Sequence, residues 1–456
     1  MTAGIDIGTS SVKMLLEEEG KISETFRFPY EGNTLEEICR TILKALKEAG
    51  RDVEAISLSS QTGTYVIDKS ELISWQSDAG CEEIEGVISS FSPETFISEI
   101  SMPHPRIFSY PLPRIKYILA RHPHVKSICQ LKDAVLYFLT GEYKSDVYTW
   151  RGLANVHTGK YSQKMLDYAG AAPSLLPGLH SPFSVGGYMK EEISRQTGVR
   201  IKTPVYIGLN DYYASLLGMG ISSPGQAFDI TGTSEHVGCI IGNIEYRDWL
   251  VTSPYLKNQV CYGVTASSGN AMDYGMDNFP MEEINMEKSV LNQAPVFLPY
   301  LKGERSPIYN SGARGVFFGI SDKTTRQDMA YSVLEGAAFA AYHIFSEIPS
   351  KSACTCVMTS GGPAKNKNYN RLKASLWGVP FKTMAVNDTS ALGAVMCSLL
   401  GMGKYGSFRE AAAHLCKVQE VIPPEETAYL RKRFELYKKI YQSNIDNFSE
   451  FRRISV

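Results

Sequence analysis

Ala3-Gly4-Ile5-Asp6-Ile7-Gly8-Thr9-Ser10-Ser11-Val12-Lys13-Met14-Leu15-Leu16 opens the chain with two apolar stretches on either side of a small polar turn. The pattern predicts two strands joined through Gly8-Thr9-Ser10, as in a β-hairpin. Such a turn gathers backbone N–H groups and hydroxyls with no bulky side chain in the way, which suits a phosphate oxygen. Asp6, on the strand just before the turn, would then lie beside the phosphates, where a carboxylate holds Mg2+ directly or through water. Gly-Thr-Ser also tips ordinary hairpins, so the motif needs a second observation.

A second copy supplies it. Asp229-Ile230-Thr231-Gly232-Thr233-Ser234 echoes the first motif 223 positions later, close to half the chain. A repeat at that distance implies two similar lobes, since solenoid periods are about 20–50 residues. Ser222-Ser223-Pro224-Gly225 lies just before the second copy and marks the boundary, giving lobes at 1–222 and 223–456. Between the copies, Leu35, Ile38, Cys39, Ile42, Leu43 and Leu46 follow helical spacing until Gly50 stops it, and Ala55-Ile56-Ser57-Leu58-Ser59-Ser60 reads as a strand. Strands alternating with helices predict an α/β fold with a mainly parallel, helix-covered sheet. After Pro423-Pro424, Leu430, Phe434, Tyr437 and Tyr441 line one face of a closing helix that docks through its aromatic stripe.

Composition narrows the function. The 456 residues allow two or three domains at about 150 residues each. Lys and Arg number 46 against 48 Asp and Glu, a net charge of −2, so the basic excess usual for nucleic-acid or anionic-lipid binding is absent. The longest nearly apolar stretch, 391–400, is about half the ~20 residues of a membrane span. Residues 1–16 lack the basic region and apolar core of a signal peptide. Nine scattered cysteines without a CxxC pair favour reduced thiols and a cytoplasmic location, and argue against zinc. Neither GxxxxGK[ST] nor GxGxxG after a strand occurs, which excludes the P-loop and Rossmann readings. Gly361-Gly362, after the strand-like 356–360, would let backbone approach a planar ligand, or is an ordinary strand-to-helix turn. Asp388-Thr389-Ser390 reads as the cap of the small-residue helix that begins at Ala391.

Taken together, these segments resemble the FGGY carbohydrate kinase family, in its xylulokinase-like branch. Residues 4–13 match the family's N-terminal phosphate motif. Leu298-Pro299-Tyr300-Leu301-Lys302-Gly303-Glu304-Arg305-Ser306-Pro307, Ala313-Arg314-Gly315-Val316-Phe317-Phe318-Gly319-Ile320 and Leu334-Glu335-Gly336 match its C-terminal signature. Ser360-Gly361-Gly362 and Ser390-Ala391-Leu392-Gly393-Ala394 resemble its adenosine-side turn and closing helix.

The resemblance implies a two-lobed actin/hexokinase-like fold with duplicated βα domains around a central cleft, whose closure excludes water. It implies ATP- and Mg2+-dependent phosphorylation of a terminal hydroxyl of a small sugar, polyol or sugar acid. Gly208-Leu209-Asn210-Asp211 matches the segment carrying the family's general base, which nominates Asp211; read from the residues alone, Asp211 is equally a helix N-cap. Nucleotide contacts implied by matching are Gly8, Thr9, Ser10, Gly232, Thr233, Gly269, Gly362 and Asn366; Lys13 either assists the phosphates or is a solvated strand-end lysine. Asp6 would be the metal-side carboxylate.

The acceptor side departs from the xylulokinase pattern. Where that branch carries Gln-Met-His-Gly, this chain has Gln61-Thr62-Gly63, and Tyr212 replaces an Asn or Gln after the base. Trp75-Gln76-Ser77-Asp78 matches the family's Trp-x-Asp segment with one extra residue, so Gln61, Thr62, Asp78, Asp211 and Tyr212 are the expected sugar contacts. A pocket altered in this way reads a different hydroxyl pattern or an acid group. Gluconate-type and glycerol-type kinases are the alternatives within the family, and a non-kinase actin-fold ATPase switch the alternative outside it. The expected partners are a small-molecule sugar and, as an option, a second copy in a homodimer, with no nucleic acid and no membrane.

Overall fold

The opening stretch forms the expected hairpin in a computed structural model, which describes residues 1–456 except 31–33, 51, 104, 245–246, 282–283, 285, 287–292, 350, 426–427 and 455–456. Strand β1 (Thr2–Ile7) pairs antiparallel with β2 (Ser11–Glu18), and β2 with β3 (Lys21–Pro29). Helix α1 (Leu35–Ala49) follows, its first turn capped by the Thr34 hydroxyl and its end set by Gly50 at positive φ. It buries Ile38, Ile42, Ala45 and Leu46, the i, i+4, i+7, i+8 face, and returns the chain to β4 (Ala55–Ser60), parallel to β1. After helix α2 (Leu131–Thr140), β5 (Val185–Tyr188) runs antiparallel to β6 (Pro204–Asn210), which lies parallel to β4; helix α3 (Asp211–Gly218) follows β6 directly. The order across the sheet is β5-β6-β4-β1-β2-β3.

By contacts the chain divides into two units. Unit 1 comprises 1–222, 253–257 and 388–417; unit 2 comprises 223–252, 258–387 and 418–456. The division at 222/223 falls in the Ser-Ser-Pro-Gly run, while 253–257 and 388–417, inside the span 223–456, group with unit 1. The returning helix, Thr389–Gly401, packs on α3 so closely that a Cβ at Gly393 would come 1.9 Å from the Ala214 carbonyl oxygen.

Unit 2 repeats the strand logic of unit 1. Strands β7 (Ala227–Thr231), β8 (Glu235–Ile241) and β9 (Asn258–Thr265) form an antiparallel meander. Helix α4 (Gly269–Asn278) and helix α5 (Arg326–Glu347) precede β10 (Val357–Gly361), which is parallel to β7. Helix α6 (Lys367–Trp377) leads to β11 (Phe381–Met384), parallel to β10, and β12 (Val418–Ile422) closes that edge antiparallel. Six strands of the sheet thus run β9-β8-β7-β10-β11-β12, the counterpart of β3-β2-β1-β4-β6-β5. The duplicated motif therefore marks a duplicated topology.

Helix α7 (Ala428–Ile454) buries Leu430, Phe434, Tyr437 and Tyr441 against α5 and the unit 2 core, as the aromatic stripe predicts. Arg433 adds a bidentate pair with buried Glu335, at 2.7 and 2.6 Å. The nine cysteines are free thiols, and no helix among the described residues is long and apolar enough to cross a membrane.

Candidate active site

In unit 1 the Gly8-Thr9-Ser10 turn is closed by a hydrogen bond from Gly8 N to Ser11 O at 3.0 Å, leaving Ser10 exposed and Thr9 half-buried. Asp6 sits beneath it on β1, 4% exposed, opposite Ser59 of β4 in the parallel register. The Ser59 hydroxyl donates to Oδ1 at 3.1 Å and the Ser390 hydroxyl to Oδ2 at 2.6 Å. No cation pairs with this carboxylate among the described residues. Lys13 is held instead by Asp388, at 2.7 Å. Asp388 occupies the N-cap position of the returning helix without a capping hydrogen bond, because its carboxylate is turned to Lys13.

Asp211 is not the cap of its helix. Asn210 takes that role, its side-chain oxygen accepting from Tyr213 N at 3.1 Å. Asp211 is thereby released to face the Gln61-Thr62-Gly63 segment that follows β4. Its Oδ1 accepts from Tyr212 N at 2.8 Å and Thr62 N at 3.2 Å, and no described residue donates to Oδ2. Burial pushes the carboxyl up to about 7; the Asp6 charge adds to the rise, while the two N–H donors and the Arg151 guanidinium oppose it. A half-buried carboxyl titrating there is suited to take a proton from a substrate hydroxyl near neutral pH. The pH dependence follows in sign: the base must be ionised, so activity should fall about tenfold per pH unit below about 7 and level off above it. A profile of kcat/KM from pH 5 to 9 checks this, and a flat acid limb contradicts it.

The Trp75 indole N–H donates to Gln61 Oε1 at 3.0 Å and Thr9 Oγ1 at 3.2 Å, and the Thr9 hydroxyl donates to the same Gln61 oxygen at 2.9 Å. The phosphate turn and the acceptor segment of unit 1 are therefore tied through one aromatic residue. Asp78, three residues on, is exposed and lines a different groove with Glu71, Arg121 and His122. Tyr212 is buried, its ring against Tyr213 and 5.3 Å from the Arg151 guanidinium, which also lies over the Tyr110 and Tyr213 rings.

Unit 2 carries the second turn. Gly232 N donates to Ser234 O at 2.9 Å, and the Thr233 side chain is exposed. Gly269, the first residue of α4, donates its N–H to Gly232 O at 3.0 Å, which seats a helix N-terminus on the turn. Gly361 has φ of +104°, and a Cβ there would lie 1.8 Å from Thr231 O, so only glycine admits the approach of β10 to β7. The Thr231 hydroxyl bridges the two strands, donating to Ser360 O and accepting from Ala364 N. Gly362 is exposed with open space above it, and Asn366 caps α6 through Tyr369 N.

Asp229 is the counterpart of Asp6, and Thr359 donates to it as Ser59 does to Asp6. Here the carboxylate is fully buried and pairs with the Lys373 ammonium, which also reaches Glu235 at 3.0 Å. The unit 2 copy has thus become a closed ionic cluster, whereas Asp6 accepts from the rotatable hydroxyls of Ser59 and Ser390.

The N-terminal domain of the FGGY family of carbohydrate kinases matches residues 1–218, and the C-terminal domain of that family matches residues 248–402. The chain belongs to the FGGY family of carbohydrate kinases. A xylulose kinase of Lactococcus lactis is 24% identical, covering 96% of each chain. Among solved structures, a ligand-bound xylulose kinase of Lactobacillus acidophilus superposes with a TM-score of 0.87 at 21% identity, and a gluconate kinase of the same organism with 0.85 at 21%; each alignment covers 99% of both chains. The fold is that of the actin/hexokinase-like kinases, and ATP is the family's co-substrate.

Of the residues nominated for this FGGY kinase, Asp6, Thr9, Gln61, Thr62 and Asp211 are linked within unit 1, as Gly232, Thr233 and Gly269 are within unit 2. Trp75 was nominated only as the flank of Asp78. Its link to Gln61 and Thr9, 14 and 66 positions away, carries no signal in the sequence. Arg151 had no signal beyond a cation in an aromatic segment, Tyr148-Thr149-Trp150-Arg151.

Proposed function

We propose that this FGGY kinase transfers the γ-phosphate of ATP to a hydroxyl of a small sugar, polyol or sugar acid, with Asp211 as general base. The observation that carries the reading is the Asp211 carboxyl: relieved of capping by Asn210, oriented by two backbone N–H groups through Oδ1, and open at Oδ2. In unit 1 the Thr9-Ser10 turn would offer donors to phosphate oxygens; in unit 2 the Gly232-Thr233 turn would do the same and the backbone at Gly362 would admit an adenosine.

The donors fit a magnesium ion that arrives with its nucleotide. Asp6 offers oxygen only, and its two hydroxyl partners, Ser59 and Ser390, can rotate to share it with a hydrated cation. Bound there, the ion would neutralise charge on the phosphoryl oxygens. Mg2+ typically takes one or two carboxylates plus phosphates, so no larger acidic cage is required.

Thr233→Val should raise the KM for ATP or lower kcat while leaving acceptor affinity in place, since an exposed turn hydroxyl is free to donate to phosphate. Loss of one charge-assisted hydrogen bond costs about 1.5–3 kcal/mol. Unchanged kinetics with a lower melting temperature would make Thr233 a structural turn residue.

The relatives named above are xylulose and gluconate kinases, and two features favour an acceptor other than xylulose here. Thr62-Gly63 stands in place of an imidazole-bearing segment, and the Arg151 charge acts at Asp211, which suits a carboxylate on the acceptor. In an ADP-release panel of pentuloses, hexuloses, aldonates and polyols, some acceptor should exceed D-xylulose by about tenfold or more in kcat/KM, the discrimination that one unpaired buried polar group supplies. D-xylulose at the head of the panel overturns this choice of substrate.

A further inference from the structure

Arg114 lies on the helix Pro111–Arg121 and is completely buried. Among the described residues no carboxylate forms an ion pair with its guanidinium. Nη1 donates to Ser77 Oγ at 2.9 Å, and Nη2 reaches the carbonyl oxygens of Ser74 at 3.2 Å, Ser77 at 3.1 Å and Trp75 at 3.4 Å. Each of these bonds ends on one loop, residues 74–77. Burying a cation is costly unless its hydrogen bonds are made, so loop and guanidinium hold each other in place. The loop in turn presents Trp75, whose backbone N–H is fixed by Thr64 Oγ1 and whose indole N–H reaches Gln61 and Thr9. Gln61 is followed by Thr62, the residue whose N–H orients Asp211.

We infer that Arg114 is a positioning residue for the acceptor side of the site, acting through the 74–77 loop and the Trp75 indole. Its effect on substrate rests on the proposed kinase reading; its hold on Trp75 does not. Lysine keeps the charge but has no planar fork, so it cannot reach Ser77 Oγ and three carbonyls together.

The test uses the full chain labelled with 15N-tryptophan, whose four indole resonances include one that Trp75→Phe removes and so assigns. Arg114→Lys should shift or broaden that resonance and leave the other three in place. It should also raise the acceptor KM about tenfold and the KM for ATP by clearly less, because the indole reaches the phosphate turn only through Thr9 whereas Gln61 adjoins the residue that orients Asp211. Added to Trp75→Phe, it should cost little more, because both break the same link. Arg114→Met tests the same link without the charge; if it fails to fold, the lysine variant carries the test. An unmoved Trp75 resonance in Arg114→Lys, or KM values for ATP and acceptor that rise in step, overturns the inference. A wild-type protein with no acceptor activity overturns the kinase reading instead, and the indole resonance still decides the role of Arg114.

Discussion

Asp211→Asn should lower kcat for phosphoryl transfer by about 10²–10⁴-fold, the usual worth of a positioned general base. The substitution is nearly isosteric. Its oxygen can still accept from Thr62 N and Tyr212 N, so the segment around it keeps its geometry. Nucleotide affinity should stay near that of the wild type. Retention of more than about a tenth of kcat would remove Asp211 from the proton transfer.

Stability should move the other way. A carboxyl whose folded pKa is raised to about 7 favours folding at low pH, and that advantage is lost as pH rises from the usual carboxyl range to about 7. Above pH 7 the folded protein must carry an ionised, largely desolvated Asp211, a cost that asparagine removes. Thermal melts at pH 8 should therefore place Asp211→Asn no lower than the wild type. A clear loss of stability would mean that the ionised carboxylate holds the local fold together.

Lys373→Met is expected to have the largest effect on stability. Lys373, Asp229 and Glu235 are all fully buried, and Tyr369 and Thr359 complete the cluster. Burial disfavours the ammonium charge, but the two carboxylates more than offset this and hold its pKa above the usual lysine range. Burial and the Glu235 charge push Asp229 up. Removal of the only cation in the cluster would leave two carboxylates facing each other in the core of unit 2. Breaking a buried ion pair in this way typically costs 3–5 kcal/mol, against about 0–1 for an exposed pair. Denaturant melts of Lys373→Met and of the double variant with Asp229→Asn should show a large loss and a partial recovery. A loss under about 1 kcal/mol would mean the cluster is already uncharged.

Much of this architecture was legible in sequence because it is periodic or repeated. The Gly-Thr-Ser turn recurs in corresponding places, and the six-strand order recurs with it. Ala55–Ser60 and the Leu35–Leu46 face declare themselves through apolar spacing, and the stripe from Leu430 to Tyr441 does so through aromatics. What was not legible depends on which of several plausible partners a polar group takes. Asn210 and Asp211 both cap helices well, and only the backbone path shows that Asn210 does so. Asp388 caps in pattern, yet pairs with Lys13. Asp6 and Asp229 are the same letter in the same motif, and Lys373, more than 140 positions downstream of Asp229, separates their fates. Trp75 and Arg114 sit in loop and helix segments with no period, so their link emerges only from hydrogen-bond geometry. The return of 388–417 to unit 1 has the same cause, being a matter of long-range packing of small residues.

The most direct test of phosphoryl transfer to an acceptor is product stoichiometry. Wild-type protein is incubated with ATP, Mg2+ and the best acceptor of the panel, and ADP, inorganic phosphate and phosphorylated acceptor are measured together. One phosphorylated acceptor for each ADP, with little inorganic phosphate and a low rate when the acceptor is omitted, is the predicted result. ADP formed in step with inorganic phosphate, at a rate no acceptor changes, would contradict the account and make the chain an ATPase.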